Sequence, residues 1–196
     1  MGWFKWRYEK TINISNISLW YSFLIMDIGS GNGYPSAALS NFAPHPFEID
    51  GVECASMEGF LQSLKFESID MQRYVCTLVG KAAKKKGHKK NWYQKQELYW
   101  NGRTYKRDSE AYQNLLNRAY NRLYKNGGFY KALQATNGAT LEHSIGKNKS
   151  SETVLTRQEF CSRLTYLRDR GELPEYDEPK QPKQMELGLW GNIFTI

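Results

Sequence analysis

Cysteine, proline and long apolar runs are all scarce in this sequence, and each scarcity excludes something. Of 196 residues three are cysteine, Cys54, Cys76 and Cys161. They are odd in number, widely spaced and form no CxxC pair, so neither a disulfide framework nor a zinc site is legible. A reducing, cytoplasmic setting is the expectation. The length of 196 residues, at 40% hydrophobic and 24% charged with only six prolines beside 16 glycines, suits one globular domain of ordinary size and leaves no room for two full domains. The longest apolar run, Leu19–Met26, is less than half of the ~20 residues that cross a bilayer, so no membrane is expected as a partner. Basic residues precede that run (Lys5, Arg7, Lys10), but Glu9 intervenes and no small-residue cleavage site follows closely. It reads as a buried strand rather than a signal peptide.

What the chain does have is aromatic and basic. Its 13 Tyr, 9 Phe and 6 Trp exclude a disordered chain. The formal charge of +7 calls for something anionic without naming it. Six of the lysines lie between Lys81 and Lys90, followed by Asn91-Trp92-Tyr93. Such a run is either a solvated helix and loop or a phosphate track with stacking aromatics beside it.

The pattern divides into a β-rich extension over 1–28, a domain over 29–171 and a linker with an apolar tail over 172–196. Gly29–Pro35 is turn-rich, without the spacing of a phosphate-binding loop. Pro46–Ile49, the Asp50-Gly51 turn and Val52–Cys54 predict a hairpin. Ser56 caps a helix running to about Phe66, and Met71–Val79 predicts another. Residues 81–100 read as basic and partly helical. Ser109 opens the clearest helix, with Tyr112, Leu115, Leu116, Ala119, Tyr120 and Leu123 on one face and Asn126-Gly127 as its stop. Phe129–Ala135 is a short helix; Thr140–Ile145 is a strand or an ordered loop. Thr156-Arg157-Gln158-Glu159 is a capping box for a helix through Arg170, stopped by Gly171.

On the helix after Ser56, Met57, Phe60, Leu61 and Leu64 form one stripe about 100° wide, an ordinary core face. Glu58, Gln62 and Lys65 form a second stripe beside it, at i, i+4 and i+7. By spacing alone this is a solvated polar face. The sharper reading is a site in which Lys65 loses its proton by partial burial and acts as nucleophile while Glu58 transfers protons. Gln62 then orients a substrate hydroxyl or carbonyl.

Leu39-Ser40-Asn41-Phe42-Ala43-Pro44-His45-Pro46-Phe47-Glu48-Ile49-Asp50-Gly51, followed by Ser56-x-Glu58-x-x-x-Gln62-x-x-Lys65-Phe66, resembles the opening signature of the NADAR (YbiA-like) family. Gly80, the lysine run and Asn91-Trp92 resemble its middle section, and Leu141-Glu142-His143 a later box. The family's Asp, Trp-Gly and Gly-rich stretch is replaced here by His143–Ser150.

The resemblance implies a helix-dominated α+β domain with a small hairpin or sheet. It further implies N-glycosidase chemistry on ADP-ribose-linked or ribosylamine substrates, with no cofactor and no metal. Lys65, Glu58 and Glu142 stand at catalytic positions. Ser40, Asn41, Phe42, Gln62, Trp92, Lys84 and Asn148 stand as substrate contacts. The lysine run favours ADP-ribosylated guanine in DNA over the other substrate, a riboflavin-pathway ribosylaminouracil phosphate. A silent ADP-ribose or nucleic-acid binding module is the alternative of another class.

Overall fold

The structure is a computed structural model describing residues 24–88 and 90–177; the strand expected at Leu19–Met26 therefore lies partly outside the described residues. It is helix-dominated α+β, with three two-stranded sheets among the described residues. β1 (Leu24–Asp27) pairs in parallel with β6 (Ala139–Glu142), which settles Thr140–Ile145 as a strand and then a loop. β2 (Phe47–Ile49) and β3 (Val52–Cys54) form the expected hairpin. Its turn residues Asp50 and Gly51 both have positive φ, 51° and 75°, the geometry a tight two-residue connection demands. Glycine takes this conformation without strain and aspartate tolerates it.

A second hairpin was not anticipated. β4 (Glu97–Trp100) and β5 (Arg103–Lys106) are joined by Asn101-Gly102, again at positive φ, 47° and 81°. The basic stretch before it is two helices, α4 (Gly80–Gly87) and the short α5 (Trp92–Lys95). A further short helix, α1 (Ser36–Leu39), follows the turn-rich loop.

α2 (Met57–Ser63) is the central element. Ser56 accepts the Gly59 N–H at 3.0 Å as its cap, and Leu64 closes it. Lys65 and Phe66 follow in a tightened turn, their N–H groups donating to Gln62 O and Ser63 O. α2 packs on α3 (Ile69–Cys76) and α4, and Phe60 meets Trp100 edge-to-face at 4.9 Å. The expected stripe Met57, Phe60, Leu61, Leu64 is core. Glu58 and Gln62, however, are buried as well, so the polar stripe is not a solvated face. α3 begins at Ile69 and ends at Cys76, earlier at both ends than the apolar pattern suggested, because Ser68 caps it.

α6 (Glu110–Tyr124) presents the predicted core face. Asn126 is less a stop than a start: its side chain caps α7 (Gly127–Gln134), accepting from Gly128 and Phe129. α8 (Arg157–Arg170) opens on the complete capping box of Thr156 and Glu159. Glu159 also takes a bidentate hydrogen bond from the buried Arg107, fixing α8 to the segment after β5. Thr156→Ala removes the cap acceptor alone. A stability loss of about 1 kcal/mol is expected, read as a lower denaturation midpoint at unchanged m-value.

The chain does not end its packing at Gly171: Leu173 is buried and Tyr176 N–H donates to Asn114. Residues 178–196, which include the apolar tail, lie outside the described residues. All three cysteines are free. Among the described residues no helix is long and apolar enough to cross a membrane, and no His/Cys/Asp/Glu group is arranged to hold a metal ion.

Candidate active site

The SNF box and the start of α2 are built as one unit. Asn41 O accepts the Glu58 N–H at 2.8 Å, and Asn41 Oδ1 accepts the Tyr120 hydroxyl at 2.9 Å. Ser40 Oγ accepts the Phe42 N–H, and Ser56 Oγ donates to Leu78 O. Asn41 thus acts first as a positioning residue, supplying an acceptor to an exposed N–H of the first helical turn. Gly80, at φ 53°, starts α4 directly against Phe42. Lys84 then lies over the Phe42 ring, 5.4 Å from its centroid.

Glu58, Gln62, Lys65 and Lys84 meet on the wall that these contacts build. Glu58 is 7 % exposed and accepts a hydrogen bond from Gln62 Nε2 at 2.9 Å. Burial pushes its carboxyl above the usual carboxylate range, against the Gln62 hydrogen bond and the charges of Lys84 and Lys65. Lys65 is half-buried, and its Nζ reaches Gly87 O at 3.5 Å. Desolvation brings its amine down to about 8; Glu58 opposes that shift and Lys84 adds to it. A carboxyl held toward its neutral form and an amine held toward its neutral form therefore interact across about two turns of chain. This is the environment that a proton donor and an amine nucleophile require.

Other expected site residues fall elsewhere. Glu142 is exposed at the end of β6, in register with Asp27. Together with Asp27 it helps raise the Cys161 thiol, which burial first pushes up, to about 11. Among the described residues no hydrogen bond or ion pair joins Glu142 to Glu58 or Lys65. Trp92 belongs to the apolar core at 9 % exposure, so its indole is a packing group and not an open stacking surface. The adjacent Tyr93 is 52 % exposed. Asn148 lies exposed on the loop after β6. His143 Nδ1 bonds Ile28 O at 2.7 Å and its ring meets Phe160 edge-to-face, a structural role.

The lysine run is organised rather than diffuse. Besides Lys84 on Phe42, Lys86 lies over Tyr74 and Lys90 over Phe66, with Nζ at 5.1 and 4.4 Å from the ring centroids. Two residues of the site had not been singled out. Tyr120, read as plain core, is fully buried, bonds Asn41 and interacts electrostatically with Glu58. Gly87, buried at the end of α4, touches Gln62 and accepts from Lys65. Its signal in the sequence was a glycine interrupting a run of helix-forming lysines.

The profile of a family described as bacteriophage protein GP30.3 matches residues 33–169, a span that includes all of these site residues. The uncharacterized 17.1 kDa protein in the Gp30-rIII intergenic region of Enterobacteria phage T4 is 39% identical over 149 residues, covering 74% of this chain and 97% of that protein. The NMR structure of the E. coli protein YbiA is similar at a TM-score of 0.49 and 16% identity, over 74% of this chain and 82% of that one.

Proposed function

This chain belongs to the bacteriophage protein GP30.3 family, and we propose that it is an N-glycosidase releasing ADP-ribose from ADP-ribosylated guanine in DNA. The observation that carries the reading is the pairing of a buried Glu58 with a desolvated Lys65 on one wall, beside Lys84. The motif resemblance stated above supplies the reaction class, and the lysine-lined edge supports a polyanionic substrate.

In this reaction the neutral Glu58 carboxyl gives its proton to the departing guanine nitrogen as the bond to ribose C1 breaks. The resulting carboxylate stabilises the oxocarbenium charge on the sugar. Neutral Lys65 Nζ bonds to C1; the bond from C1 to the ring oxygen then breaks as that oxygen takes a proton from the nitrogen, leaving a protonated imine. Water then adds to C1 and gives one proton to Glu58; the new hydroxyl passes its proton to the nitrogen as the C–N bond breaks, which returns neutral Lys65 and leaves an aldehyde, and the freed ring hydroxyl closes on that aldehyde to give the sugar with a hydroxyl at C1. In this reading Lys84, with Lys86 and Lys90, neutralises phosphates flanking the glycosidic bond.

Incubation with ADP-ribosylated DNA in the presence of borohydride tests this. A trapped enzyme–sugar adduct at Lys65 is expected; free ADP-ribose released with no adduct removes the imine step. Turnover only of a ribosylaminouracil phosphate, or tight binding without turnover, replaces the DNA reading altogether.

The pH dependence of trapping follows from the same geometry. Lys65 reacts as the free amine, so trapping rises with pH, reaches half of its plateau near 8, and no longer needs the ~10.5 of an ordinary lysine. Glu58 and Lys84 are the charged groups facing it. Initial trapping rates across pH 6–10 check the midpoint.

A further inference from the structure

Gln62 Oε1 is a buried side-chain acceptor with no hydrogen-bond partner, among the described residues. Its amide is not free to turn that end away. Nε2 donates to Glu58 at 2.9 Å, and the side chain is 7 % exposed, so the two ends of the carboxamide have fixed and different tasks. One end serves a carboxyl group on its own helix. The other is an acceptor without a donor in the candidate active site. Buried acceptors almost always have donors, and one left over in such a site points to a group that arrives with the ligand.

We propose that Gln62 Oε1 is the specificity element of the site, accepting a hydrogen bond from a hydroxyl of the substrate's ribose and so selecting ribosyl over deoxyribosyl groups. The inference rests on the N-glycosidase reading and narrows it. A carbonyl on the substrate cannot serve, since Oε1 offers no hydrogen. The approach is narrow: a Cβ built on Gly87 would stand 2.0 Å from Oε1, so the Gly87 backbone closes over it. That backbone is tied across the site by Lys65 Nζ at a long 3.5 Å. An acceptor so enclosed leaves a ligand without the donor strongly disfavoured, because nothing else can serve it once water is excluded.

The test uses binding rather than turnover. ADP-ribose and its analogues, each with one terminal-ribose hydroxyl replaced by hydrogen or by fluorine, are titrated into the full chain by calorimetry. At one position, both replacements are expected to weaken binding at least tenfold, because fluorine fills the space of a hydroxyl but donates nothing. In Gln62→Met that discrimination is expected to vanish, and the substrate-side comparison stands on its own if this variant does not fold. Equal affinities across all analogues overturn the inference and leave the N-glycosidase reading in place. Absence of ADP-ribose binding overturns both.

Discussion

Lys65→Arg is expected to lower the release of ADP-ribose from ADP-ribosylated DNA by on the order of 10³-fold or more and to abolish borohydride trapping. Arginine keeps the positive charge and much of the length, so DNA binding through the lysine edge should persist. What it cannot do is lose its proton, because the guanidinium remains charged at any working pH. In Lys65 the opposite property has been built in. Its amine is half-buried just beyond the end of α2, reaches Gly87 O at the end of α4, and is brought by desolvation to about 8. Lys65→Ala should match the arginine variant in turnover, since both lack an amine. Glu58→Gln keeps the shape and the contact to Gln62 but supplies no exchangeable acid, and a loss of about 10²–10⁴-fold is expected, mainly in kcat. Should Lys65→Arg retain full turnover, the amine is not a nucleophile and the carboxyl acts alone on a water. Equal losses in kcat and binding for Glu58→Gln would instead make Glu58 a positioning residue.

The parts of this picture legible in the sequence were those written in local chemistry. The Thr156 capping box, the Asp50-Gly51 turn and the apolar face of α6 need only neighbours within a few residues, and each reads directly. The Asn101-Gly102 hairpin has an equally clear turn dipeptide, but its first strand, Glu97–Trp100, closes the basic stretch 81–100 that reads as partly helical. The stripe of Glu58, Gln62 and Lys65 was visible as spacing, yet its burial was not. Periodicity places a residue on a face without saying what covers that face. The cover here comes from residues distant in the chain: Asn41 on the Glu58 N–H, Tyr120 behind Asn41, and Gly87 over Gln62. Trp92 is a second case of burial that spacing does not reveal. Beside a lysine run an indole reads as a stacking surface, but the fold turns it into the core.

Gly87→Ala is expected to disable the site with one methyl group. A Cβ there would lie 2.0 Å from Gln62 Oε1, 2.9 Å from Cδ and 3.1 Å from Gln62 Cβ. The terminal oxygen of a glutamine is ordinarily cheap to move. This one belongs to an amide whose other end is bonded to Glu58 inside a buried helix, and the contact to Cβ cannot be relieved by rotating the amide. Either the amide turns out and Glu58 loses its hydrogen bond, or the end of α4 lifts and removes Gly87 O from Lys65. Overpacking of this kind costs about 1–3 kcal/mol. Displacement of the reacting groups by about 1 Å costs on the order of 10²-fold in rate. Lifting α4 also readmits water to Lys65, so the trapping midpoint should climb from about 8 toward the ordinary lysine range. A double-mutant cycle separates the two responses. With Gln62→Ala as the background, the methyl has space and Gly87→Ala should lose most of its stability cost. Strict additivity of the two substitutions would show that Gly87 matters for the termination of α4 and not for the contact with Gln62.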